Sequence, residues 1–312
     1  MRWDAALRSC APPLAKDPNV PRPPDEPSPA GDLRRVAAVG PFFGLRTEAS
    51  ADGPGGEGYR PLADCHGPRD PAAPLAGRVT AVAERLGTEE RRVAGALVFQ
   101  GLAARLWSIA LGSAVLCGRM PSLAPERVWW HPDRMAPDDL WLPEPVAPPV
   151  ADPESAGQSE AAVDDGRLAP LHGAIRSLCH VSQRLLCGKA GSALAGSLRL
   201  PHGWCRTHGR PDPAHRALEL AERLLIRRPL HGTGTVRAAS GDPDPAFTRR
   251  GCCLYYRVPG GGAVRRLRAP AAGIAPAQAP LGTEGADSPA SSRSSTSPAS
   301  WRARSWSSAR AM

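Results

Sequence analysis

The sequence lacks the short motifs that identify the commonest enzyme classes. It contains no Gly-x-Ser-x-Gly of an esterase, no His-Glu-x-x-His of a metalloprotease and no Walker sequence of a phosphate-binding loop. The pair Gly232 and Gly234 is not a dinucleotide fingerprint, because no strand–helix unit is predicted around it. Hydrolase and kinase functions are therefore without support.

A secretory signal is also missing, since residues 1–35 are rich in proline and hold no apolar segment. Eight cysteines without such a signal fit a reducing cytoplasm better than a disulfide framework. Residues 263–312 hold seven arginines and two acidic residues, so they carry +5 of the net charge of +9 and leave +4 for residues 1–262. We predict a cytoplasmic protein, and its charge gives no ground for a nucleic-acid partner.

Helical periodicity dominates the middle of the chain, with short aromatic segments at Val128–Trp130 and Leu140–Leu142 that favour short extended segments or a hairpin. The predicted fold class is α+β, mainly α-helical, with a few short strands and disordered N- and C-terminal tails. The predicted organisation is a disordered leader at 1–31, an N-terminal helical half at 32–142, a linker at 143–166, a C-terminal helical half at 167–262 and a disordered tail at 263–312.

The strongest helical segment is predicted to begin with Thr88 as its N-cap and to continue to Leu116. Its apolar part is long enough to cross a bilayer, which leaves a membrane span as an alternative. Arg105 lies near its middle, where a charged residue costs about 2.5–3.5 kcal/mol on insertion. The pattern therefore favours a buried core helix. A helix over 168–200, broken at Gly188, and a helix over 213–228 follow.

A zinc site is a second alternative. His202, Cys205 and His208 are spaced as His-x-x-Cys-x-x-His, which resembles zinc ligand spacing. A structural zinc site needs four ligands, and the sequence places no fourth one nearby. This spacing is therefore a weaker indication of a metal site than the cysteine pair near the end of the chain.

The most informative stretch is Arg249 to Gly262, which reads Arg-Arg-Gly-Cys-Cys-Leu-Tyr-Tyr-Arg-Val-Pro-Gly-Gly-Gly. Thiolates are the usual ligands of iron–sulfur clusters, and a cluster normally needs four. The stretch closely resembles the C-terminal segment of ferric-siderophore reductases of the FhuF type. In that family, Cys-Cys, ten residues and Cys-x-x-Cys hold a [2Fe–2S] cluster. Cys252 and Cys253 match the first pair, Leu254–Gly262 fills nine spacer positions, and the second pair is absent.

The residues after Gly262 suggest why the second pair is absent. One set of codons for the following Ala-Val-Arg-Arg-Leu-Arg-Ala-Pro, with its first base removed, encodes Leu-Cys-Gly-Asp-Cys-Val-Leu. That product restores Cys-x-x-Cys at the family spacing. We therefore interpret residues 263–312 as out-of-frame translation. The alternative is a natural basic Ser/Pro-rich tail.

A second, looser resemblance covers Leu185–Leu198, where FhuF-type proteins tend to show Leu-Trp-Gly-Asn-x-Ala-Ser-Ala-Leu. This chain has Cys187 in place of Trp and Lys189 in place of Asn. From the pattern alone, Lys189 is a polar residue on a packing helix and carries no site.

The resemblance implies a ferric-chelate oxidoreductase with a [2Fe–2S] cofactor, of which Cys252 and Cys253 are two of four expected ligands. Its expected partners are a ferric siderophore and an electron donor, with peripheral contact at the inner membrane. Arg249, Arg250 and Arg257 would raise the potential of the cluster. Two alternatives remain: a basic surface-binding protein that uses the tail, and a cluster-free module that grips the siderophore with three tryptophans, Trp129, Trp130 and Trp141.

Overall fold

A computed structural model describes residues 28–48, 50, 52–66, 74–149, 168–237, 245–261 and 266–267. The helices in these ranges are α1 (Pro29–Ala37), α2 (Gly53–Gly56), α3 (Pro74–Leu86), α4 (Arg91–Cys117), α5 (Ala169–Cys179), α6 (Gln183–Thr207) and α7 (Pro211–Leu225). The strands are β1 (Arg60–Pro61), β2 (Trp129–Trp130), β3 (Leu140–Trp141), β4 (Gly234–Arg237), β5 (Ala246–Arg249) and β6 (Arg266–Leu267). The mainly helical α+β prediction is confirmed.

Helix α4 forms the centre of the hydrophobic core. It is apolar around its whole circumference, as expected of a helix that is covered on every side. Within the described ranges it is the one helix long and apolar enough to cross a membrane, but 89% of its most apolar window is buried inside the protein. The helix begins at Arg91 with Glu90 as its N-cap residue. The prediction of Thr88 at the N-cap was therefore two residues early.

Helix α6 packs along α4 through small residues. Ser108 of α4 donates a hydrogen bond to Ser197 of α6 over 3.0 Å, and the Ser197 hydroxyl also lies 3.2 Å from the carbonyl oxygen of Ala104. Ala190 and Ala193 of α6 are buried in the same core. Because α4 belongs to the predicted N-terminal half and α6 to the C-terminal half, the two halves share one core.

Arg105 is the charged residue at the centre of α4, and it is 1% exposed. Its Nε donates to Asp139 Oδ1 over 2.8 Å, and its Nη2 donates to the carbonyl oxygens of Gly44 and Pro137 over 2.6 and 3.2 Å. Its Nη1 reaches the carbonyl oxygen of Pro41 over 3.1 Å. These bonds compensate the buried charge and attach two loops to α4.

Two small antiparallel sheets complete the fold. In the first, β2 pairs with β1 and β3, with Trp129 opposite Trp141, so the predicted hairpin is present. In the second, β5 pairs with β4 and β6, and its last residue Arg249 lies opposite Gly234. Strand β6 lies within the segment that the sequence predicts to be a disordered tail; the remainder of that segment is outside the described residues.

Three predicted boundaries differ from the structure. Helix α1 begins at Pro29, inside the predicted leader 1–31, where Ser28 caps it by accepting from the Gly31 amide over 3.0 Å. The predicted linker begins too early, because Ala147 is buried and its carbonyl oxygen accepts from Arg119 Nε over 2.9 Å. The predicted break at Gly188 is wrong, since α5 ends at Cys179 with His180 (φ 51°) as its C-cap residue, and α6 runs through Gly188 without a break. The leader before residue 28 and the linker after residue 149 lie outside the described residues.

Candidate functional site

Strand β5 leads directly into the cysteine pair. After Arg249 the chain turns through Gly251, so that Cys252 is exposed and Cys253 is buried. The next residue, Leu254, has a φ of 59°, and its amide donates to Cys252 Sγ over 3.5 Å. A single turn of 3-10 helix follows over Tyr255–Arg257. The local backbone therefore presents one thiol to solvent and the other to the interior.

The segment after the cysteines is held against the N-terminus of α4. Leu254 and Val258 pack on Val93 in a small cluster separate from the main core. Arg257 Nη1 donates to both carboxylate oxygens of Glu90, over 3.0 and 2.7 Å. These contacts fix residues 254–258 beside the cysteine pair, so that the segment forms one wall of a cavity.

Arg249 connects the cysteine pair to helix α6. Its side chain is 7% exposed, and its Nη2 donates to the carbonyl oxygen of Gly188. Burial lowers the pKa of Arg249, while the neighbouring thiols Cys253 and Cys252 raise it, Cys253 also through a side-chain hydrogen bond. The buried Nε of Arg249 has no hydrogen-bond partner among the described residues. A buried donor without a partner is costly, so this position suits an acceptor that binds there.

Lys189 lies on α6 immediately after Gly188 and is 1% exposed. Burial, and then the positive charge of Arg249, lower its pKa to about 7, against the opposing effect of Cys253 and Cys252. Within the described ranges, no carboxylate forms an ion pair with it. Two buried cations thus stand together beside two thiols.

A cavity of about 410 Å³ opens at this position, between α3, α4, α6 and residues 253–260. Apolar side chains such as Val82, Leu86 and Leu97 form part of its wall. Five cationic residues also line it, namely Arg78, Arg85, Arg105, Lys189 and Arg249. Asp139 is the one carboxylate among its described lining residues, and Arg105 already binds it. The cavity is therefore strongly cationic.

The surroundings suit a negatively charged iron–sulfur group, but the ligand number does not. Lys189 and Arg249 would compensate thiolate and sulfide charge. Cys252 and Cys253 supply two thiols, and within the described ranges no group of three or more His, Cys, Asp or Glu side chains is placed to hold a metal. A four-thiolate cluster therefore does not fit the described residues alone, and two further thiolates would be needed.

The tryptophans predicted as a siderophore grip do not form one. Trp130 is 1% and Trp141 0% exposed, so both pack in the core rather than offering a ring face to a ligand. The guanidinium of Arg46 lies over Trp141, with its Cζ 4.1 Å from the centroid of the indole ring. Trp129 is half-buried beside them in the hairpin. Removing a large apolar ring from water stabilises the folded protein, which explains why Trp130 and Trp141 lie in the core rather than at a ligand site.

The other predicted residues are dispersed. Arg250 and Arg257 are exposed, and Arg257 pairs with Glu90. Cys205 of the zinc alternative is buried in α6, where burial raises the pKa of its thiol. His208 is exposed and stacks on Trp204 with ring centroids 4.1 Å apart. The structure gives these residues no common metal position.

Comparison with known families agrees with the resemblance found for the cysteine segment. Residues 249–263 match the FhuF 2Fe-2S C-terminal domain. The class to which this segment points is therefore iron–sulfur proteins of the FhuF type, and the match implies a [2Fe–2S] cluster. No curated protein matches the chain.

The position of Lys189 in the cavity was missed by reasoning from the sequence. Helical periodicity placed it on a packing helix without a site, whereas it lies in the cavity beside Cys253. A signal was present, because Lys189 stands in the segment Leu185–Leu198 that resembles FhuF-type proteins. Which residue that segment contacts could not be read from a single sequence.

Proposed function

We propose that this protein has the scaffold of a ferric-siderophore reductase of the FhuF type, and that reduction is impaired in this product because two of four cluster cysteines are missing. The observation that carries the proposal is that the family match falls on Cys252 and Cys253, and that Cys253 lines a cationic cavity. The reaction is the one-electron reduction of an Fe(III) siderophore, which releases Fe(II).

For this reaction the protein has to bind the ferric siderophore and supply one electron. Hard oxygen ligands hold Fe(III) far more tightly than Fe(II), so one electron is enough to release the metal. A [2Fe–2S] cluster, when bound, supplies that electron. The cavity offers a position for the substrate against Cys253, and apolar side chains line part of it. No side chain needs to act as a nucleophile or a general acid.

The proposal includes the frameshift after Gly262, which accounts for the missing cysteines. The expected setting is the cytoplasm, where a siderophore arrives with its iron and an electron donor reduces the cluster. Peripheral contact with the inner membrane belongs to the same proposal.

The test is a reduction assay on two proteins: the chain as given, and a chain that continues after Gly262 as Leu-Cys-Gly-Asp-Cys-Val-Leu. Both are treated anaerobically with iron and sulfide, reduced, freed of excess reductant and mixed with a ferric siderophore in the presence of a chromogenic Fe(II) chelator. We expect Fe(II) release by the restored chain only. The Cys253→Ser form of the restored chain is the matched control and should be inactive. Release by neither chain would reject the proposal.

A cluster-free ferric-chelate-binding module is a second candidate. The cationic cavity favours it, since binding there needs neither the second cysteine pair nor the tryptophans. This candidate predicts binding without reduction, even in the restored chain.

A further inference from the structure

The two cysteines of the pair face different parts of the protein. Cys253 is buried and lines the cavity. Cys252 is exposed, and it is not among the described residues that line the cavity. The pair therefore lies between the cavity and the protein surface, so a partner can meet the chain at Cys252 without entering the cavity.

Two segments of the chain form the surface beside Cys252. The amide of Arg250 donates to the carbonyl oxygen of Thr233 over 2.9 Å, so the turn 227–233 adjoins the end of β5. The amide of His231 donates to the carbonyl oxygen of Arg227 over 2.7 Å and closes this turn. We call the outer face a set of four exposed residues from the two segments, namely Arg228, Arg250, Cys252 and Tyr256.

The outer face is cationic. Residues 226–261 contain six arginines and two aspartates, and both aspartates fall in 238–244, outside the described residues. The charge of Arg257 is compensated by Glu90. Arg228 and Arg250, in contrast, form no ion pair with any residue that the structure describes. The face therefore complements a partner with an acidic surface.

The side chains around these charges are typical of a protein–protein interface. Among the described residues three large apolar side chains are exposed, and two of them, Ile226 at 72% and Tyr256 at 49%, belong to the segments that meet at Arg250. Tyrosine and arginine are enriched at protein interfaces and lysine is depleted, and residues 226–261 contain no lysine. Docking on a lipid surface calls for an apolar helix face, which one exposed isoleucine does not provide.

From these observations we infer that the outer face is the docking surface of a small acidic electron-carrier protein, which meets the chain at Cys252 and leaves the cavity open to the substrate. A contact held mainly by complementary charge forms rapidly and stays weak, as suits a carrier that is exchanged after each electron. The inference rests on the proposed function, and it adds the chemical class of the electron donor and the surface that binds it.

The test measures binding to the chain as given, so neither a cluster nor electron transfer is needed. The full chain is titrated by calorimetry with oxidised flavodoxin, an acidic one-electron carrier, at low and at high salt. The comparison proteins are cytochrome c, a basic one-electron carrier, and parvalbumin, an acidic protein without a redox cofactor. We expect flavodoxin to bind about tenfold or more tightly than either of them, and high salt to weaken its complex.

Three variants locate the binding. Arg250→Glu reverses a charge on the outer face and should weaken flavodoxin binding about tenfold or more. Tyr256→Ser should weaken it about fivefold or more. Arg210→Glu is the matched control, because it makes the same charge change at an exposed residue just beyond the C-terminal end of α6. That end lies about 30 Å along the helix from Gly188, which Arg249 contacts, so the control should bind flavodoxin as the unaltered chain does.

Circular dichroism confirms that all three variants are folded. Equal affinity for flavodoxin and parvalbumin, an unaffected Arg250→Glu variant, or equal weakening by Arg210→Glu would each overturn the inference. Vesicles of phosphatidylglycerol provide a further arm. If the chain binds them through Arg250 and does not bind flavodoxin, the outer face belongs to a membrane and the inference is rejected.

This experiment separates the inference from the proposed function. Flavodoxin binding needs no cluster, so it can succeed when the restored chain fails to reduce a ferric siderophore. In that case reduction is rejected and the docking surface stands. If the restored chain reduces a ferric siderophore with a chemical reductant but flavodoxin does not bind, the inference alone is rejected.

Discussion

Arg249 Nη2 donates a hydrogen bond to the carbonyl oxygen of Gly188. This bond joins the strand that leads to the cysteine pair to the helix that carries Lys189. It therefore brings Leu185–Leu198 beside Arg249–Gly262, about sixty residues later in the chain. The family match covers the second of these stretches. Both stretches contribute lining residues to the same cavity.

The closeness of α6 to the loop before β4 can be tested with two glycines of the same helix. A Cβ on Gly191 would collide with Thr233, whose hydroxyl is fixed by a 2.7 Å bond to the Leu230 carbonyl oxygen. Gly191→Ala should lower the free energy of unfolding by about 1–3 kcal/mol in urea denaturation. A Cβ on Gly196 would meet no atom within 4 Å, so Gly196→Ala should raise the free energy of unfolding by about 0.5–1 kcal/mol. Equal effects of the two substitutions would contradict this packing.

The buried ion pair between Arg105 and Asp139 predicts a large loss of stability when one partner is removed. Asp139→Asn keeps the shape but leaves the Arg105 charge uncompensated in the core, so the free energy of unfolding should fall by about 3–5 kcal/mol. Glu144 is the matched control, since its side chain is 89% exposed and lies 4.0 Å from Arg127. Glu144→Gln should change stability by less than about 0.5 kcal/mol. A loss below about 1 kcal/mol for Asp139→Asn would show that the pair is not buried as described.

Lys189 predicts an unusual dependence of stability on pH. Its pKa is about 7 in the folded protein and about 10.4 in the unfolded chain, so the unfolded chain binds more protons between these values. The contribution of Lys189 to the free energy of unfolding is therefore lowest below pH 7 and rises as the pH increases towards 10. Between pH 7 and pH 9 the chain should gain about 2 kcal/mol relative to Lys189→Met.

The measurement is urea denaturation of both proteins at pH 7, 8 and 9, with reductant present to keep the thiols reduced. Titrating groups remote from position 189 are common to both proteins, so the difference between them reports Lys189 together with its coupling to Cys252 and Cys253. Parallel pH profiles would contradict the buried, unpaired position of this lysine.

The ion pair between Arg257 and Glu90 predicts a local effect on the cavity wall. Arg92 and then Arg257 lower the pKa of Glu90 through hydrogen bonds. Both side chains are partly exposed, so Glu90→Gln should leave global unfolding unchanged but speed amide hydrogen exchange in residues 254–258. High salt should do the same in the unaltered chain because it screens exposed charges. Glu89→Gln is the control and should leave the exchange of residues 254–258 at its original rate.

Much of the fold could be predicted from local patterns. The apolar run over Val93–Leu116 identified the core helix, and the aromatic segments around Trp129 and Trp141 identified the hairpin. Tertiary contacts decided the rest. Nothing in the spacing of residues showed that Asp139 would compensate Arg105, or that the helix would break at His180.

For the site, the cysteine pair was recognisable because adjacent thiols in a basic aromatic segment are rare and resemble a known family. The cavity was not recognisable, because its lining comes from α3, α4, α6 and the segment after Cys253, which are far apart in the sequence. The siderophore grip was placed on the tryptophans because aromatic rings can bind flat ligands, whereas Trp130 and Trp141 are buried in the core.

The central claim is that Cys252 and Cys253 are half of a [2Fe–2S] site. Iron and acid-labile sulfide are measured per chain after anaerobic reconstitution, for the chain as given and for the chain continued after Gly262 as Leu-Cys-Gly-Asp-Cys-Val-Leu. We predict about two irons and two sulfides in the continued chain and a colourless, essentially iron-free protein without it. No cluster in the continued chain, or a full cluster in the chain as given, would contradict the claim.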